Sequence, residues 1–138
     1  MIPSEEIFRL ILAMIMGLLI GFEREMSHKP AGLRTHILVC LGSCLFTLIS
    51  IKFSFDPARI AAGIVAGIGF IGAGTILAER ERIVGITTAA SLWVTAAIGL
   101  ALGIGEYMLA LIATILTVFT LFSRVIFKKV SLRGSFPR

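Results

Sequence analysis

Polar and apolar residues are not interleaved along this chain; they come in blocks. Four long, nearly uncharged runs occupy residues 37–51, 60–78, 86–105 and 108–123, and a shorter apolar stretch covers 10–22. A hydrocarbon core about 30 Å thick takes about 20 residues of helix at about 1.5 Å rise each. The runs meet or approach that length once their flanks are added. The first must borrow from residues 2–9, which sets Glu6 and Arg9 near one membrane surface at a spacing where they can pair. The pattern predicts an all-α polytopic membrane protein with five transmembrane helices, at about 4–22, 35–53, 57–78, 87–105 and 107–127. Residues 1–127 form the transmembrane domain and 128–138 a short basic tail.

The borders carry physical markers. Asp56 can cap a helix whose first turn tolerates Pro57, because that turn has no use for its N–H. Thr87 or Thr88 is the expected cap of the fourth helix, and Pro30-Ala31-Gly32 breaks the chain between the first two. The link around Gly105-Glu106-Tyr107 is so short that the last two helices form an antiparallel hairpin. Glu5 and Glu6 stand where a signal peptide would carry basic residues, so the first span is read as a permanent helix.

Composition narrows the class. With 57% hydrophobic and 15% charged residues and a mean hydropathy of +1.01, the chain has more apolar surface than one globular core of its size can hide. A soluble enzyme, a disordered chain, a secreted disulfide scaffold and a nucleic-acid binder are excluded, despite a net charge of +5. The basic residues also set the orientation. Arg24, Lys29, Arg34, Arg80, Arg82, Arg124, Lys128, Lys129, Arg133 and Arg138 fall on one side, against Arg9, Lys52 and Arg59 on the other. Short loops rich in Lys and Arg stay in the cytoplasm, so the amino terminus is expected outside and the carboxyl terminus inside.

Glycine is the next signal. The G-x-G-x-x-G of Gly67, Gly69 and Gly72 lies in an apolar run with no preceding strand, so it is not a dinucleotide fingerprint. Lipid is as apolar as leucine, and membrane helices associate through small residues. GxxxG spacing occurs at Gly17 and Gly21, at Gly63 and Gly67, and at Gly99 and Gly103. In the third span Gly63, Gly67 and Gly74 share one face, with Gly69 and Gly72 on the other. This expects a third helix touched on both sides and placed centrally, with a homodimer as one outcome. The rival reading is a broken helix lining an ion pathway. The fifth span has no glycine and is expected to face lipid.

Candidate chemistry lies at the borders. The second to fifth spans have no Asp or Glu in their interiors, although such residues usually mark ion routes. A cytoplasmic cluster gathers Glu23, Arg24, Glu25, His28, Arg34, His36 and Glu79, read either as a solvated charged face or as an ion-pair network at membrane level. On the outer side Asp56 and Arg59 form an expected local pair. Cys40 and Cys44 share a face without further metal-ligand partners, which fits packing. Trp93 lies mid-span and needs a partner for its N–H. No nucleophile–base pair marks an enzyme.

These residues also carry a resemblance. Residues 17–25 (GLLIGFERE), 30–36 (PAGLRTH), 56–62 (DPARIAA), 67–77 (GIGFIGAGTIL) and 85–99 (GITTAASLWVTAAIG) together resemble the membrane domain of the MgtC/SapB family. The resemblance implies a multi-pass bacterial inner-membrane protein of Mg²⁺ homeostasis. Its action would be either regulation of other membrane proteins, the proton-translocating ATP synthase among them, or passive transport of Mg²⁺ or another cation. Mg²⁺ is the one cofactor it suggests, and the metal ligands stay unknown. By position it implies roles for Glu23, Arg24, Glu25, Arg34, Thr35, His36, Asp56, Arg59 and Glu79, with Thr88 and Trp93 in the fourth span. Two positions depart from the virulence-associated branch, which tends to have Asn where this chain has Thr87 and Cys where it has Val94. Many relatives carry a further cytoplasmic domain that residues 128–138 are too few to form.

Overall fold

A computed structural model describes residues 4–53, 56–79 and 82–133. Among them are five helices: α1 (Ser4–Met26), α2 (Leu33–Phe53), α3 (Pro57–Ala73), α4 (Ile86–Ile104) and α5 (Tyr107–Arg133). Between α3 and α4 lies an antiparallel hairpin of β1 (Leu77–Glu79) and β2 (Arg82–Val84), with Leu77 opposite Val84 and Glu79 opposite Arg82. By length and composition α2 and α4 are apolar enough to cross a bilayer; residues 58–74 and 107–123 form shorter apolar helices.

The third helix stops well before the expected residue 78. Its end falls at Gly74, and Thr75 turns back with its hydroxyl donating to the Gly72 carbonyl at 2.8 Å. The chain then pairs as a hairpin, in which β-branched Ile83 and Val84 of β2 suit a strand. The expected threonine cap of α4 is replaced by Gly85, in the left-handed conformation at φ 94°. A side chain there would also run into the Thr75 carbonyl, so glycine is required twice over.

Helix ends elsewhere are closed by backbone. His28, at φ 51°, ends α1 with Lys29 N–H on the Arg24 carbonyl and His28 N–H on that of Glu25, both 3.0 Å. Gly105, at φ 92°, ends α4 the same way, with Glu106 N–H on the Ala101 carbonyl at 2.9 Å. Asp56 does occupy the cap position of α3 with Pro57 following, but its side chain makes no capping bond.

The core is built on α1, α2 and α4, with α5 laid against them. Ala13, Met16 and Ile20 of α1 meet Cys40, Cys44 and Leu48 of α2 and Ile98, Ala101 and Leu102 of α4, and Ala110 and Leu121 of α5 close the cluster. Close backbone approach occurs at four glycines. A Cβ on Gly17 would stand 2.7 Å from the His36 carbonyl oxygen, and one on Gly21 2.8 Å from Leu33 Cα. On α4, a Cβ on Gly99 would overlap the Cys40 carbonyl, and one on Gly103 would meet Thr47 Cβ at 2.5 Å. The central helix is therefore α2, gripped from both sides.

The expected central position of the third helix is corrected. Gly63, Gly67 and Gly69 have nothing within 4 Å of where a Cβ would be, and of α3's apolar side chains Ile68 is the buried one. Only Gly72 is packed against another helix, at Ala89 of α4, while Gly74 lies beyond the helix against its own carbonyls. The glycine pattern marked a smooth helix; smoothness alone does not say what touches it.

Candidate functional site

At one end of the bundle a polar cluster is buried where α1, α2 and α4 converge. Glu23 and Arg24, each 2% exposed, pair with one another in the last turns of α1. Ser27, one turn on, donates its hydroxyl to Glu23 Oε1 at 2.8 Å. His36 on α2 is 0% exposed and is held at both nitrogens: Nδ1 lies 2.9 Å from the Gly32 carbonyl oxygen and Nε2 3.0 Å from Ser91 Oγ on α4. Ser91 in turn lies 2.8 Å from the Thr88 carbonyl oxygen. Gly21 is what lets α1 come down on this turn of α2, since a Cβ there would stand 3.1 Å from His36 Cβ.

Counting protons gives this cluster its chemistry. The Gly32 carbonyl only accepts, so Nδ1 carries a hydrogen. If Nε2 is bare, Ser91 must give its one hydrogen to the ring and release the Thr88 carbonyl. If Nε2 is protonated, Ser91 accepts from it and keeps its bond to Thr88. The hydroxyl thus has two settings, chosen by the charge of the imidazole, and it links α2 to the first turns of α4.

The remaining members are distributed differently. Glu25 is exposed, yet its Oε2 accepts from Leu33 N–H at 2.9 Å and so closes the free end of α2 across the connecting loop. Arg34 and Thr35 are the next two residues of α2; they line a cavity of about 710 Å³ between α2 and α3, with Arg59 on α3. Arg59 and Asp56 make no side-chain ion pair among the described residues; Arg59 N–H bonds the Asp56 carbonyl instead, at 3.1 Å. Glu79 lies on β1, and its side chain is outside the described set. Thr88 is 1% exposed and belongs to the cluster, whereas Thr87 lines a smaller cleft of about 240 Å³ between α4 and α5. Trp93 is 50% exposed on the outward face of α4, so its N–H is not an internal anchor.

The charged border is thus neither a uniform solvated face nor one network. Glu23, Arg24 and His36 are brought together, while Glu25, Arg34, Asp56 and Arg59 are not part of that group. Ser91 and Ser27 were missed by sequence reasoning. A usable signal existed: Thr88, Ser91 and Thr95 recur at helical spacing on one face of an apolar run, and all three are buried.

The opposite end has its own lock. The Glu6–Arg9 pair expected from spacing is replaced by Arg9 with Glu5 and by Glu6 with Lys52 at 2.9 Å. Arg9 Nη1 donates to the Gly103 carbonyl at 2.6 Å and Nε to Tyr107 Oη at 3.2 Å, tying α1 to the α4–α5 turn.

The outward faces are bare hydrocarbon: Leu38 is 65% exposed, Phe70 87%, Phe119 68%. Monomeric soluble proteins rarely expose apolar patches of this extent. α2 and α4 are long and apolar enough to cross a bilayer, and together with these bare faces they fit the class of small helical membrane proteins. The chain belongs to the MgtC family, whose sequence pattern matches residues 10–130. It is 50% identical over 129 residues to "Putative magnesium transporter YhiD" of Escherichia coli (strain K12), covering 86% of this chain and 60% of that protein. It is 42% identical to Protein SrpB of Synechococcus elongatus over 130 residues, covering 83% of this chain and 71% of SrpB. It is 50% identical to Protein MgtC of Salmonella typhimurium over 111 residues, covering 80% of this chain and 48% of that protein. The chain therefore spans between about half and just over two thirds of these relatives. No solved structure matches it significantly.

Proposed function

We propose that this chain is a five-span inner-membrane protein of Mg²⁺ homeostasis, amino terminus outside, that acts by contacts with other membrane proteins rather than by pumping ions or by catalysis. Membership of the MgtC family and the name carried by YhiD support the link to Mg²⁺. The observation that carries the choice of regulator is the character of the α2–α3 cavity. Mg²⁺ needs oxygen ligands and gives up water reluctantly. That cavity is walled by Leu38, Val39, Ile60, Ile64 and Ile68 and has a guanidinium at each end, Arg34 and Arg59. Arginine at a pore mouth favours anions over cations. The buried polar cluster supports the same reading, because Glu23 is already matched by Arg24 and His36 by Gly32 and Ser91.

The alternative is a passive conduit for Mg²⁺ or another cation, for which the name of YhiD is the specific support. Liposomes loaded with a Mg²⁺ indicator separate the two. The expected result is no flux above protein-free liposomes, together with a stoichiometric membrane partner recovered after crosslinking in cells. Flux abolished by Glu23→Ala or Asp56→Ala would establish the conduit instead.

A further inference from the structure

We infer that the groove between α2 and α3 is a binding site for one anionic phospholipid, its phosphate held by Arg34 and its acyl chains lying along the apolar wall. The inference needs only that the chain sits in a bilayer; it does not rest on the role in Mg²⁺ homeostasis. The first support is the shape of the site. The groove holds about 710 Å³, within the range of roughly 300–1,000 Å³ usual for small-molecule sites, and it is open along its length to the side where lipid would lie. Its α2 wall runs from Arg34 to Phe46, about 18 Å at the helical rise. One leaflet of acyl chains spans about 15 Å, half of the hydrocarbon core, so the wall matches a single lipid's tails and not a bilayer-crossing segment.

The second support is chemical polarity along the groove. At one mouth stand the Arg34 guanidinium and the Thr35 hydroxyl, and neither side chain has a hydrogen bond or ion pair among the described residues. A guanidinium matches two phosphate oxygens at once, and a hydroxyl beside it can donate to a third. Below them the lining is apolar apart from Ser43, and at Gly42, Gly63 and Gly67 no neighbouring element comes within 4 Å of where a Cβ would stand. Cationic pockets between membrane helices are characteristic headgroup sites. Arg59, at the far end, can extend its head toward the other surface.

Charge also decides against a second copy of the chain in the same groove. All copies face the same way in a membrane, so a symmetric pair turns about an axis along the bilayer normal and sets each residue level with its own mate. Arg34 would meet Arg34 and Arg59 would meet Arg59 across the seam. A lipid phosphate relieves that repulsion; a twin adds to it.

Native mass spectrometry of the detergent-purified chain, titrated with phosphatidylglycerol or with phosphatidylcholine of the same chains, tests this. The expected result is one retained lipid with about fivefold preference for phosphatidylglycerol, the preference one surface cation provides. Arg34→Gln should bring the two lipids to parity. Gly67→Leu, whose Cβ would meet nothing within 4 Å while its longer side chain fills the floor, should lower retention of both. Both variants should keep the wild-type helix content and elution volume. Equal retention of the two lipids by the wild type, or a preference unchanged in Arg34→Gln, would overturn the inference. So would a wild-type dimer, without lipid, that Gly67→Leu converts to monomer, since that places a second copy in the groove.

Discussion

Two sets of glycines, nearly alike in sequence, meet opposite fates. Gly17, Gly21, Gly99 and Gly103 lie where α1 and α4 press their backbones onto α2, and each would collide with α2 if it carried a Cβ. Gly63, Gly67 and Gly69 on α3 touch nothing within 4 Å. The first set holds the protein together and the second leaves a groove in its flank. In a bilayer no hydrophobic force pulls helices together, so close packing and hydrogen bonds must supply the association. Glycine permits an approach; a partner surface on the other side decides whether the approach happens.

The largest effect should come from breaking the first set. Gly99→Leu drives a branched side chain into the Cys40 carbonyl and Ser43 Cβ, where neither backbone can yield. The protein should fail to elute as a single folded species in mild detergent, while Gly67→Leu elutes normally. Equal behaviour of the two variants would erase the distinction between the sets.

Next in size is the polar cluster beside that packed seam. His36→Leu should cost about 1–3 kcal/mol, because the buried Ser91 hydroxyl and Gly32 carbonyl each lose a partner. Ser91→Ala removes less, since His36 keeps Gly32. Unfolding by denaturing detergent, followed by circular dichroism, orders the two, and a larger loss for Ser91→Ala would refute the linkage as drawn.

At the opposite end Arg9→Leu should destabilise by roughly 1–2 kcal/mol through loss of its bonds to Gly103 and Tyr107. Glu5→Gln, at an exposed partner of the same arginine, should change the same unfolding midpoint far less. The smallest expected effect closes the series. Gly67→Ala should leave stability within about 0.5 kcal/mol of wild type, and a clear loss would mean that α3 has a neighbour after all.

Much of this fold is legible in the chain. The apolar runs give helices at nearly the right residues, and Gly105 gives the turn between α4 and α5. The end of α3 was not legible, because residues 76–78 are apolar and serve a helix or a strand equally. Nor was the order of packing. Spacing says which residues share a face, and α3 had the better glycine faces, yet α2, with Gly42 as its one glycine, is the helix that is gripped. The site was half legible. Glu23, Arg24 and His36 stand out as charges in an apolar context. Ser91 is silent until α4 is laid beside α2, since a hydroxyl in a membrane helix can also bond its own backbone, as Thr95 does to the Ser91 carbonyl at 2.7 Å.

The bonds from Arg9 to Gly103 and Tyr107 bridge 94 and 98 positions, and they bear on how the protein is made. As the ribosome delivers the chain, the first helix is complete long before its counterparts exist. Its guanidinium has Glu5 one turn away as a partner from the start, but the carbonyl and phenol it will hold come only with the last two helices. Assembly therefore finishes where synthesis began, and a nascent chain halted before Tyr107 would be a bundle still unlatched at its starting end.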